Sequence, residues 1–129
     1  MRHLENVSEQ SECVFTGRGV DLTTGCTYKL RRNPTNPKDR TCIEVKERHY
    51  GQVKATLNAK ISRLLSPFID NTTIWETTCL VIEDATWSRG DSGRPARAHK
   101  ILIKFITRSA DIVLVQDTFK QFNVTTNGS

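Results

Sequence analysis

The sequence predicts an α+β domain that is mainly β: a small, strongly bent sheet or partly open barrel with one or two covering helices. Three observations predict it. Short β-branched or alternating runs recur between Gly, Pro and Asn turns. One internal segment changes to helical spacing. The length of 129 residues suits a single domain.

Each element follows in order. Residues 1–11 are polar and read as a disordered lead-in, with a folded unit over 12–122 and a polar tail over 123–129. Cys13-Val14-Phe15-Thr16 reads as a short strand closed by Gly17-Arg18-Gly19. After a Thr-Gly turn at 24–25, Thr27–Arg31 alternates and forms a second strand, and Thr41–Lys46 a third. Residues 54–66 change period: Leu57, Ile61, Leu64 and Leu65 share one helical face, and Pro67 is expected to end or kink the helix. Ile74–Glu83 is apolar and β-branched, hence a strand, and Asp84–Arg97 a charged Gly/Pro loop. Ala98–Thr107 is the clearest strand in the chain. In residues 110–122, Ile112, Val115 and Phe119 have helical spacing while the β-branched run favours a strand; a terminal helix is the expectation taken here. The order is β-β-β-α-β-β-α.

The net charge of +5 favours an acidic partner such as nucleic acid or an acidic protein. No apolar run reaches membrane-spanning length, and residues 1–12 hold no apolar signal core, so an intracellular protein is expected. Cysteines 13, 26, 42 and 79 match no zinc spacing and read as small buried residues in a reducing compartment. The sequons at Asn6, Asn71, Asn123 and Asn127 keep a secreted two-disulfide domain as the minor alternative. Gly90-Asp91-Ser92-Gly93-Arg94-Pro95 resembles the segment around a trypsin-like nucleophile. However, Arg94 replaces a glycine and no motif-bearing His or Asp precedes it, so it reads as a basic loop. His3, His49 and His99 are scattered, and nothing points to a metal, a cofactor or an enzyme.

Residues 30–45 carry the sharpest signal. Leu30-Arg31-Arg32 ends a strand, and Asn33-Pro34-Thr35-Asn36-Pro37-Lys38-Asp39 follows. The segment then continues through Arg40-Thr41 to Cys42-Ile43-Glu44-Val45. Two prolines fix φ and push each preceding Asn toward extended or turn geometry, so the loop is stiff. It presents Asn36 and Asp39 among Arg31, Arg32, Lys38 and Arg40.

This segment resembles the signature of the HIRAN domain, a module of helicase-like transcription factors of the SWI/SNF type that also occurs as a stand-alone prokaryotic protein. Further along, Gly51, the helix ending in Leu64-Leu65-Ser66-Pro67-Phe68-Ile69-Asp70, and Ile103-Lys104-Phe105 stand in the family's order. The resemblance implies an OB-like, partly open barrel that captures a free 3′-hydroxyl end of single-stranded DNA. It implies that Asp39 contacts the hydroxyl, that Asn36 and Pro37 shape the loop, and that Phe105 stacks on a base. Arg18 would contact a phosphate, and Lys54 or Lys60 would add a contact from the helix. Arg31, Arg32 and Arg40 form a cluster suited to phosphates. Trp87, beside Arg89 in a polar loop, is the best spare stacking residue. The resemblance places the protein in the nucleus or elsewhere inside the cell.

The bland readings stand beside these. Asp39 reads equally well as a turn carboxylate capping a backbone amide. Each arginine alone reads as solvated charge. Phe105, within ILIKFI, reads as core once the family is set aside. The chain also departs from the family: Lys38 stands where its DNA-end binders have Tyr, and Gly19-Val20 follow Arg18 in place of an aromatic pair. Those departures motivate the alternative function, a protein-interaction module that recruits a substrate or partner to a ubiquitin ligase or chromatin factor.

Overall fold

The structure of the chain is a computed structural model. It describes residues 2–15, 22–49, 51–89, 95–121 and 126–128, with the backbone alone at 2–15, 87–89, 95–97 and 126–128. Eight strands and two helices follow one another as β1 (Arg2–Phe15), β2 (Thr27–Arg32), β3 (Ile43–Lys46), β4 (Val53–Leu57), α1 (Ala59–Asp70), β5 (Ile74–Val81), β6 (Thr86–Arg89), β7 (Pro95–Thr107), α2 (Ile112–Gln121) and β8 (Thr126–Gly128). A short 3-10 turn, Ser109–Asp111, leads into α2.

All strand pairs are antiparallel, in the order β6-β7-β5-β2-β3-β4-β1-β8, and β1 also pairs with β7. That extra pairing closes the ring β1-β4-β3-β2-β5-β7, so the sheet curls into an OB-like barrel. One edge of β7 runs along β1; its other edge is shared by β5 and then β6. The other edge of β1 is likewise shared by β8 and β4. A bulge in β5 sharpens the curl. Glu76 and Thr77 lie between the Trp75–Ile106 and Thr78–Lys104 pairs, opposite Phe105 alone, and Glu76 takes φ +52°.

Several boundaries differ from the sequence reading. Residues 2–11, expected as a disordered lead-in, belong to β1, where Arg2–Val7 pair with β7 ahead of an irregularity between Val7 and Glu12. Residues 126–128 of the expected tail pair with β1. The expected loop 84–97 contains β6, which forms a hairpin with the start of β7. The helix does not begin near 54, because Val53–Leu57 is a strand. Leu57 mimicked a helical position because it buries into the same core that α1 covers. Asn58 marks the true start: its Oδ1 accepts the Ile61 amide at 2.9 Å, which satisfies one of the unpaired amides of the first turn. Pro67 lies inside α1, and the helix continues to Asp70.

The helix closes with a Schellman arrangement. The Thr72 amide donates to Ile69 O at 3.1 Å and the Thr73 amide to Phe68 O at 2.8 Å. This places Thr72, a β-branched residue, at φ +57°, where a Cβ crowds the backbone by about 1–2 kcal/mol. Thr72→Gly is therefore expected to stabilise the domain by about 1 kcal/mol, read as a higher urea midpoint at unchanged slope. An unchanged or lower midpoint would remove the strain argument.

The core fills the ring and the space beneath both helices. Ile43, Val45, Ala55, Leu57, Cys79, Val81, Ile101, Ile103 and Phe105 point inward from the strands. Ile61, Leu64 and Leu65 of α1 and Ile112, Val115 and Phe119 of α2 meet them. Each buried Val, Leu, Ile or Phe side chain among them contributes about 1.5–3 kcal/mol by leaving water. The helix expected within 110–122 is thus present as Ile112–Gln121, with its apolar stripe on the core side, and β8 follows it. Phe119 stands edge-on to both Phe105 and Phe68, with ring centroids 5.9 and 6.1 Å apart. His99 is also buried. Its Nε2 accepts the Leu22 amide at 2.9 Å, so its Nδ1 carries the proton that faces Glu83 O at 2.9 Å.

Candidate functional site

The loop between β2 and β3 is built from three side-chain-capped turns in succession. Asn33 Oδ1 accepts the Thr35 amide and hydroxyl at 3.3 and 2.9 Å. Asn36 Oδ1 accepts the amides of Lys38 and Asp39 at 2.9 and 3.3 Å. Asp39 Oδ1 accepts the Thr41 amide at 2.9 Å and the Thr41 hydroxyl at 2.6 Å. Short Asn and Asp side chains do this because they reach a backbone amide two residues on. Asn33 also closes the stem: its amide donates to Cys42 O at 2.9 Å, and its Nδ2 donates to Glu44 Oε2 at 3.2 Å. The loop is rigid through its own hydrogen bonds, in addition to Pro34 and Pro37.

Asp39 is the centre of the arrangement. Its Oδ1 serves Thr41, while its Oδ2 has no hydrogen-bond partner among the described residues. The Thr41 hydroxyl holds the carboxyl below its ordinary pKa. Partial burial opposes this, and the Thr41 amide and the charges of Arg63 and Arg32 add to it. An ionised acceptor with one open oxygen is thus held in a fixed loop. Beneath it, burial pushes the Cys42 thiol up, which the Asn36 side chain only partly offsets, so Cys42 is an inert packing group.

Helix α1 supports the loop from the side. Arg32, the last residue of β2, donates from Nε and Nη2 to the two oxygens of Asp70, at 2.9 and 3.2 Å, and from Nη1 to Cys42 O at 2.9 Å. Ser66 Oγ lies 2.6 Å from Thr41 O and 2.5 Å from Ser62 O, with one hydrogen to share between them. Ser62, Ser66 and Asp70 form one stripe of α1 at helical spacing, beside the apolar stripe of Ile61, Leu64 and Leu65.

The expected site residues divide into groups. Asn36, Pro37, Lys38, Asp39, Arg31 and Arg40 share the loop and its stem; Pro37, Lys38, Arg31 and Arg40 are exposed, and Asn36 and Asp39 half-buried. Arg32 is corrected: its side chain is 13% exposed, and three of its five donors are engaged inside the protein, so it braces the loop instead of facing a phosphate. Phe105 is corrected too. It is fully buried at 0% exposure against Phe119, so no face of its ring is open to a base. Lys54 lies at the β3–β4 hairpin, beyond the far end of β3 from the loop, and pairs with Glu47 at 3.3 Å. Lys60 lies in the first turn of α1, one turn before Arg63. Arg18 and residues 90–94 lie outside the described residues, as does the Trp87 side chain, although the Trp87 backbone belongs to β6.

Reading the sequence alone missed four contributors: Thr41, Arg63, Ser66 and Asp70. Arg63 is exposed on α1 and close enough to bias the Asp39 carboxyl. The available signal was the spacing of Arg63, Ser66 and Asp70, a polar stripe on a helix whose apolar stripe is accounted for by the core. Among the described residues, no group of three or more His, Cys, Asp or Glu side chains could hold a metal, and no helix is long and apolar enough to cross a membrane.

No protein-family model and no curated protein matches the sequence. Solved structures do match the fold. The crystal structure of the HIRAN domain of human HLTF superposes with a TM-score of 0.64 at 20% identity, over 92% of this chain and 87% of that one. The NMR structure of the HLTF HIRAN domain gives 0.61 at 18% identity, over 81% of this chain and 77% of that one.

Proposed function

We propose, from the premise that this chain is a HIRAN-like domain, that it is a non-catalytic module that binds single-stranded DNA at a free 3′-hydroxyl end. The observation that carries the proposal is the Asp39 carboxylate: ionised, held by Thr41 and keeping Oδ2 open in a stiff loop. A terminal hydroxyl is a hydrogen-bond donor that a 3′-phosphate lacks, and a phosphate would meet the carboxylate as a like charge. Arg31, Lys38, Arg40 and Arg63, exposed around the loop, suit the phosphates of the preceding nucleotides. Trp87 remains the candidate stacking residue. In this reading the module targets a larger DNA-repair, replication-fork or chromatin protein, in the nucleus or elsewhere inside the cell.

Fluorescence anisotropy with one short labelled strand, ending in a 3′-hydroxyl or a 3′-phosphate, tests it at low and moderate salt. The hydroxyl end is expected to bind roughly tenfold or more tightly, the value of one hydrogen bond to a charged group, and that ratio is expected to persist as salt rises. Equal affinities that fade together with salt would reduce the surface to non-specific binding.

A second reading is favoured by one observation. With Phe105 buried, no Phe, Tyr or Trp side chain among the described ones is fully exposed, whereas Val113 and Leu114 are exposed on α2 at 61% and 56%. A protein-interaction module would show little DNA binding even at low salt, and its partner binding would respond to Val113 and Leu114.

A further inference from the structure

We propose that Arg32 and Asp70 are positioning residues for end recognition: their ion pair ties both stems of the Asp39 loop to the end of α1 and so sets where the carboxylate points. The proposal rests on the end-capture reading above. Arg32 is the residue at which the chain enters the loop, and Cys42, whose carbonyl its Nη1 holds, is where the chain leaves it. The same guanidinium reaches the last residue of α1 through a two-pronged contact, Nε to Oδ1 and Nη2 to Oδ2 of Asp70. One planar group thus fixes entry, exit and helix relative to one another, a geometry that a lysine in its place could not supply. Ser66 Oγ against Thr41 O adds a second tie, one residue from Cys42 and two from Asp39. The loop's internal turns fix its shape; the ties to α1 fix its placement over the barrel.

Electrostatics separates positioning from contact. Asp70 is half-exposed at 52% and negative, on a surface proposed to receive a polyanion. If its charge acted only through the general field, Asp70→Asn would strengthen binding to every strand alike. If Asp70 positions the loop, the same substitution lowers the preference for a free 3′ end, against the direction of the field. Arg32 separates in the same way. A phosphate contact, once removed, weakens all strands equally and lowers the salt slope by about one; a positioning residue lowers the end preference at an unchanged slope.

The test is the ratio of affinities for the 3′-hydroxyl and 3′-phosphate strands, measured beside the melting midpoint, for wild type, Asp70→Asn, Asp70→Glu and Ser66→Ala. The expected result is a ratio that falls toward one in Asp70→Asn, with binding to the blocked strand kept or strengthened, and that partly recovers in Asp70→Glu. Ser66→Ala is expected to lower the ratio through the second tie, and it decides the matter if Asp70→Asn melts below the working temperature. A wild-type ratio that survives both Asp70→Asn and Ser66→Ala overturns the positioning role and leaves end capture standing. A wild-type ratio of one overturns end capture, and the positioning role with it.

Discussion

Phe105→Ala is expected to cost about 3–5 kcal/mol of folding stability, the range for truncating a fully buried aromatic side chain. Phe105 has 0% exposure, sits on β7 opposite the β5 bulge, and meets Phe119 edge-on at 5.9 Å. Removing it leaves a cavity between the sheet and α2 and takes away the partner of the Phe119 ring. A small domain holds about 5–15 kcal/mol in total, so the melting midpoint should fall by well over roughly 10 °C. Phe105→Leu should recover much of this, because it keeps volume where alanine leaves a void. The two assignments of this residue predict opposite outcomes. An exposed stacking platform would lose about 1–3 kcal/mol of DNA affinity per base with the fold untouched. Denaturant unfolding beside DNA binding, each measured well below the midpoint, distinguishes them, and a stable Phe105→Ala protein with weakened DNA binding would contradict the burial described here.

Asp39→Asn is expected to abolish the preference for a free 3′ end while leaving the fold largely intact. Asparagine keeps an Oδ1 able to accept the Thr41 amide and hydroxyl, so the turn survives. It replaces the open Oδ2 acceptor with an amide donor and removes the charge. The preference should therefore fall by roughly tenfold to a hundredfold, while binding to a blocked end holds or improves slightly. Asp39→Ala should add a stability loss of about 1 kcal/mol, since the Thr41 amide then loses its cap. The pH dependence has a definite sign. The folded carboxyl titrates below its unfolded value of about 3.9, because the Thr41 hydroxyl hydrogen-bonds its ionised form. Its contribution to stability is fully present above that unfolded value and is lost as pH falls through the lower folded value. Affinity for the 3′-hydroxyl strand, whose end does not titrate in this range, should accordingly keep its Asp39-dependent part from neutral pH to about pH 5 and lose it only in stronger acid. A difference between wild type and Asp39→Asn on the 3′-hydroxyl strand that is already halved at pH 6 would point to a different titrating group.

The parts of this molecule legible in its sequence are those whose causes are local. The Asn33–Asp39 loop was readable because each Asn or Asp acts on an amide within three residues, and each Pro on the residue before it. β7 and α2 were readable because alternating or helical spacing survives in one strand or helix read alone. Of β1, only its end at Cys13–Phe15 was readable. Residues 2–11 carry no clean alternation, and what makes them a strand is the waiting edge of β7, some hundred positions away in the chain. β6 was hidden in the same way among the polar residues of a hairpin. Arg32 looked like surface charge because its partner, Asp70, is 38 residues distant. Phe105 shows the opposite failure: ILIKFI reads inward by simple alternation, and only the family resemblance drew it toward the surface.

The closure of the ring has a consequence in time. Arg2 pairs with Thr107, so of the residues in this ring those made first are among the last to find their partner. Pairings of such long sequence separation form slowly, because chain must be ordered across the gap before any contact rewards it. At about 5–20 residues per second, the growing chain exposes an unpaired stretch of β1, and later the unpaired edge of β5, for several seconds or more. The polar character of residues 1–12, which obscured their strand in the sequence, serves them in that interval. A water-loving edge can wait for β7 without adhering to its neighbours.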